Sequence, residues 1–90
     1  MFERHTPVIA VQPAGAITKA PDHRGRLRFV QPVTFTLANG TQAAHQITAE
    51  KKKDVPDWLA RLKSHAAGGT LKAEVHGGEV TSTLTTIHNI

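Results

Sequence analysis

The 90-residue chain contains no cysteine and no tyrosine, a single tryptophan and only three phenylalanines. Without cysteine there are no disulfides and no thiolate metal sites to staple the fold, which fits a reducing compartment. With aromatics at 4% of the residues, the core has to be built from Val, Ile, Leu and Ala. Such a core is thin for one small domain near the lower end of sizes that fold alone. A second copy of the chain would add burial, so a homodimer is compatible with this composition. No stretch approaches the roughly 18 consecutive apolar residues of a membrane span. The opening residues Met1 to His5 lead into no apolar run of signal-peptide length. The expectation is a cytoplasmic protein with no membrane contact.

Chemistry-bearing patterns are equally scarce. Six histidines occur, His5, His23, His45, His65, His76 and His88, but none forms an H-x-H or H-x-x-x-H pair. A metal needs three or four converging ligands, so no metal site is expected; His45 reads as half-buried against a sheet, and His76 can face Glu79 across a turn. Ser64 and His65 are neighbours on a helical stretch and point apart. The seven carboxylates form no suggestive pair. Gly68-Gly69 and Gly77-Gly78 sit at a helix stop and a hairpin turn, so neither is a phosphate-cradling loop. Neither an enzyme nor a bound cofactor is expected.

What the chain does have is lopsided charge. The formal net charge is +4, yet residues 1 to 53 carry eight Lys or Arg against three acids and residues 54 to 90 carry three against four. The basic residues concentrate in "KAPDHRGRLRF" at 19–29 and "EKKKD" at 50–54. Lys19, His23, Arg24, Arg26, Arg28, Lys51, Lys52 and Lys53 are therefore the candidate contacts for nucleic acid or an acidic protein surface. Arg24, Arg26 and Arg28 alternate, so an extended strand would aim all three at one line of phosphates.

The hydrophobic pattern divides the chain into short elements, with no repeat and no linker, so residues 1–90 read as a single small domain. Pro7 and Pro13 bracket a short run suited to an edge or end strand. Residues 14–25, with Gly15, Pro21, Asp22 and Gly25, read as loop. From Arg26 the sequence alternates, placing Leu27, Phe29, Val33, Phe35 and Leu37 on one face, with a bulge or break expected at Pro32. A three-residue turn at 38–40 with left-handed Gly40 pairs Phe35 with Ala43 and brings Ile47 inward; a two-residue Asn-Gly turn would strand Ile47 on the polar face. A helix is expected over 54–67, with Asp54 as N-cap and Val55, Leu59, Leu62 and Ala66 on its inner face beside Trp58. Phe29, Phe35 and Trp58 are all expected in the core. A tight Gly77-Gly78 turn pairs Val75 with Val80 and Leu71 with Leu84. In that register Thr81, Thr83 and Thr85 line the outer face of a last strand running through 79–90, opposite Lys72 and Glu74.

The resulting order β-β-β-α-β-β resembles the oligonucleotide/oligosaccharide-binding fold, whose helix lies between the third and fourth strands. An open antiparallel sheet with one helix packed on it would leave the same trace; both are β-rich α+β. The resemblance implies a small barrel in which the basic stretch at 19–28 forms the first loop and enters the second strand. Two functions follow as expectations. One is a non-enzymatic module that binds a phosphate backbone through that loop and strand. The other is a small interaction or inhibitory accessory protein, of the kind mobile elements encode, that binds a macromolecule through a sheet face.

Overall fold

The computed structural model describes residues 5–85. They form β1 (Thr6–Pro13), β2 (Thr18–Pro21), β3 (Leu27–Leu37), β4 (Gln42–Ala49), the helix α1 (Asp54–Ala67), β5 (Leu71–His76) and β6 (Glu79–Thr85). The strands run in the order β1-β5-β6-β4-β3-β2, and an additional β1–β3 pairing closes five of them into an uneven, barrel-like ring. Only β4 and β6 pair in parallel; every other pairing is antiparallel. The domain is thus a strand-rich α+β fold with a mixed sheet and one helix. His88, the end of the expected last strand and the leading residues 1–4 lie outside the described residues.

The first hairpin turns where the apolar pattern demands. Gly40 adopts φ +87°, open to glycine at no steric cost, and Asn39 Oδ1 accepts the Thr41 N–H at 2.9 Å. Phe35 pairs with Ala43 and Val33 with His45, which buries Ile47 as expected. Pro32 causes no break. Its carbonyl accepts from Ala14 N–H, so its ring nitrogen also faces away from β4, where β3 passes from β2 as partner to β1. No ladder bond to β4 is lost there.

Several expectations need correction. Residues 14–25 are not all loop: Thr18–Pro21 pairs with Leu27–Val30 of β3 as a short extra strand. No alternation announces it, because none of its four side chains is fully buried. β1 is not an edge strand, since closure of the ring gives it partners on both sides. Pro7 falls where pairing with β5 gives way to pairing with β3, and Pro13 is the last paired residue of the strand. Asp54 begins the helix without capping it: the preceding residue is Lys53, with no side-chain cap bond, and the turn of 51–53 runs straight in through Asp54 N–H to Lys51 C=O.

The β5–β6 hairpin changes register partway. His76 pairs with Glu79 and Val75 with Val80, but Glu74 then pairs with Ser82, leaving Thr81 as a bulge. The Thr81 hydroxyl donates to the Glu74 carbonyl at 3.2 Å. One extra residue inverts every side chain beyond it. Leu71 therefore pairs with Thr85 instead of Leu84, and Leu84 faces outward beside Lys72, 45% exposed. The expected threonine row opposite Lys72 and Glu74 is replaced by Leu84 and Ser82.

Phe35, Leu71, Val8, Val33 and Val55 are the largest fully buried side chains. Helix α1 seats Val55 and Ala66 on this core, with Leu59 and Leu62 half-buried beside them. Gly68 and Gly69 end it, Gly69 at φ +74°, and Thr70 returns its N–H and hydroxyl to the His65 carbonyl. Trp58 is not a core residue. It is 48% exposed on the helix surface, and Arg61 lies over its ring at 5.0 Å.

Candidate functional site

The candidate site begins at the tip of the β2–β3 hairpin, where one acid organises a basic turn. Asp22 N–H donates to Arg26 C=O at 2.8 Å, and Gly25 N–H returns to Asp22 C=O at 3.0 Å. Gly25 takes φ +79°, which lets so short a connection close. The Asp22 side chain then accepts three further bonds. Its Oδ1 receives the backbone N–H groups of Arg24 and Arg26 at 2.8 and 3.0 Å. Its Oδ2 receives Nε of Arg28 at 2.9 Å. Aspartate is suited to this because its short side chain bonds backbone groups two residues on.

These contacts set the local electrostatics. The hydrogen bond from Arg28, and after it those from the backbone of Arg24 and Arg26, hold the Asp22 carboxyl below the usual carboxylate range against the opposing effect of burial. Asp22 in turn raises the pKa of Arg28. A terminal nitrogen of Arg28 lies 3.8 Å from Glu50 Oε1, a long contact that links the hairpin to the end of β4.

That link matters because of the β3–β4 register. Phe29 pairs with Ala49, so antiparallel β4 ends beside the start of β3. Residues 51–53 thus leave the sheet at the end from which the 22–26 turn projects. The two basic stretches, more than twenty residues apart in sequence, are delivered to one end of β2–β3–β4. Lys19, His23, Arg24, Arg26, Lys51, Lys52 and Lys53 are all exposed there. Lys19 sits on β2 with its ammonium 5.3 Å from the centroid of the Phe29 ring.

The three arginines do not line one strand. Arg24 is in the turn, Arg26 precedes β3, and only Arg28 belongs to the strand. The guanidinium groups of Arg24 and Arg26 have no ion-pair partner among the described residues, whereas Arg28 is paired.

No protein-family model matches the chain, and no curated protein or solved structure matches it either. The site therefore has to be judged on its own chemistry.

Two clefts flank β4, the first of them at the basic end. One, about 420 Å³, lies over the outer face of β2, β3 and β4, with Thr18, Ala20, Arg28, Val30, Gln46 and Thr48 in its walls. The other, about 460 Å³, opens between β4 and β6, with Pro32, Ala44, Glu79 and Val80 in its walls, and shares Gln46 and Thr48 with the first. Neither is lined by Phe or Trp; the rings in their linings are those of His23 in the first and His45 in the second. Leu27, which alternation assigns to the core, lies at the mouth of the hairpin, 65% exposed.

Glu50 is visible in the sequence as the acid that offsets the three lysines; Asp22, Gln46 and Thr48 are not singled out there. Of these three only Asp22 has a local signal, an aspartate opening a Gly-containing turn; the other two join the site through cross-strand pairing. The histidines remain dispersed. His5 Nε2 is 2.8 Å from Ser82 Oγ, the His76 side chain bonds Glu74 at 2.8 Å while Glu79 stays its cross-strand neighbour, and His65 bonds Thr70. Among the described residues no three His, Asp or Glu side chains converge as a metal site, and no helix is long and apolar enough to cross a membrane.

Proposed function

We propose that the protein is a non-enzymatic binding module that holds a phosphate backbone with the basic end of its β2–β3–β4 sheet. The observation that carries this is the β3–β4 register, which gathers Lys19, His23, Arg24 and Arg26 with Lys51, Lys52 and Lys53 at one end. Exposed lysines and arginines so grouped neutralise successive phosphates and release counterions, a contribution that needs no base readout. Clefts without Phe or Trp fit a ligand held by its backbone better than one held by bases stacked on large rings, which would draw about 1–3 kcal/mol per base.

The test is binding of labelled single-stranded and duplex oligonucleotides of unrelated sequence, followed by anisotropy at low and moderate salt. The expected result is similar affinity across sequences that falls steeply as salt rises. If no binding occurs at low salt while the protein captures an acidic protein through the same residues, the ligand is a protein surface and the nucleic-acid reading fails.

A further inference from the structure

We propose that Asp22 is a built-in counter-ion that withholds Arg28 from a bound phosphate backbone, leaving Arg24 and Arg26 as the contact residues of the hairpin tip. The inference rests on the backbone-binding reading and divides the basic stretch into two unequal parts.

The geometry separates the three arginines. Arg28 commits Nε to Asp22 at 2.9 Å and turns a terminal nitrogen toward Glu50. Its side chain is 31% exposed and that of Asp22 only 15%, so this pair is sheltered, whereas Arg24 and Arg26 are exposed. Two backbone N–H groups and a guanidinium Nε converging on one carboxylate form an arrangement of the kind that binds anions. Here the anion is supplied by the chain itself, covalently held six residues from Arg28. A phosphate held by Arg28 would lie close to the Asp22 carboxylate, 2.9 Å from Nε, and like charges at such range repel. Opposite charges on Asp22 and Arg28 also cancel in the wall of the 420 Å³ cleft that both line.

The same contacts give Asp22 a positive task. By fixing the amides of Arg24 and Arg26, it sets the backbone from which those two side chains reach solvent. Asp22 is thus a positioning residue, and the phosphate contacts at the tip number two arginines instead of three.

The experiment compares the wild type with Asp22→Asn and with the double variant Asp22→Asn/Arg28→Ala, using a single-stranded oligonucleotide over a range of salt. Asparagine keeps an oxygen for the two backbone amides but cannot hold Arg28 as an ion pair. Release of Arg28 adds one phosphate contact, so the salt slope of Asp22→Asn should steepen by about 0.7 with a gain in affinity at low salt. The double variant should return the slope to that of the wild type. An unchanged slope in Asp22→Asn, or weaker binding, would overturn the proposal, since a merely structural aspartate gives that result. A second readout on the wild type is independent of oligonucleotides. The Arg28 Nε–H and the Arg24 and Arg26 amide signals, observed by NMR, should be protected from exchange and unmoved by inorganic phosphate. Phosphate-induced shifts at all three would show that Asp22 yields the site to an external anion, and the counter-ion role would fall. Should the wild type bind no oligonucleotide, the backbone reading fails by itself, and this NMR measurement alone decides the state of Asp22 and Arg28.

Discussion

The imidazole of His45 lies against the ring of Phe35, centroids 4.9 Å apart and planes tilted by 41°. The contact is possible because His45, paired with Val33, points to the same side of β4 as Ala43 and Ile47. Burial against that core lowers the His45 pKa below the ordinary 6.5. Between the lowered folded value and 6.5, the unfolded chain binds the proton more readily than the folded one. This contribution to stability is therefore present above pH 6.5 and lost as pH falls toward the folded value. Denaturant melts between pH 7 and 5 should show a loss of stability on acidification that is smaller in His45→Gln. An NMR titration that placed the His45 ring above 6.5 would contradict the assignment.

The alternating apolar face of β3 is unequal along its length, and mutation should show it. Phe35 is fully buried while Leu27 is 65% exposed. Phe35→Ala should cost about 3–5 kcal/mol, enough to unfold much of so small a domain. Leu27→Ala should stay within about 0.5 kcal/mol. Equal losses in urea melts would mean that the two residues share one core.

The same contrast explains which parts of the fold were legible in the sequence. Local chemistry was sufficient where apolar pattern and turn geometry agreed: Gly40 and Ile47 together select one register, and Val55, Leu59, Leu62 and Ala66 select one helix face. It failed where a non-local event intervened. The bulge at Thr81 has no sequence mark, yet it sends Leu84 outward. β2 has no periodicity because it fills the stretch of β3 that β1 leaves uncovered. In the candidate site, residue types were readable and geometry was not. Three alternating arginines suggested one line of charges, but the Asp22 turn removes Arg24 and Arg26 from the strand and ties down Arg28. Only the β3–β4 register brings the lysines of 51–53 to that end.

Trp58 gives a direct check on helix α1. It is the only tryptophan in the chain, so intrinsic fluorescence reports on this position alone. Half-exposed and stacked with Arg61, it should be readily quenched by acrylamide in the folded protein. Trp58→Ala should cost about 1 kcal/mol, since an exposed cation–π contact contributes roughly 0.5–1 kcal/mol. A quenching-resistant tryptophan, or a loss near the 3–5 kcal/mol of a core aromatic, would place Trp58 inside instead.

The last prediction concerns the two basic segments as one surface. Arg24 and Arg26 project from the hairpin tip, and Lys51, Lys52 and Lys53 follow β4 at the same end of the sheet. If one backbone runs past both, Arg24→Ala/Arg26→Ala and Lys51→Ala/Lys52→Ala/Lys53→Ala should each flatten the salt slope for single-stranded oligonucleotides. Each lost phosphate contact removes about 0.7 from that slope. Combining the five substitutions should sum the two changes in slope, because counterion release counts phosphates neutralised. Folding should be nearly unaffected, since all five side chains are exposed and such changes usually stay within about 0.5 kcal/mol. Shortening the oligonucleotide separates one surface from two. A strand too short to span both segments should respond to one set of substitutions or the other, and the combined variant should then lose no more than the larger single effect. If either set alone leaves the slope of a long oligonucleotide unchanged, that segment is solvated surface and the ligand follows the other alone.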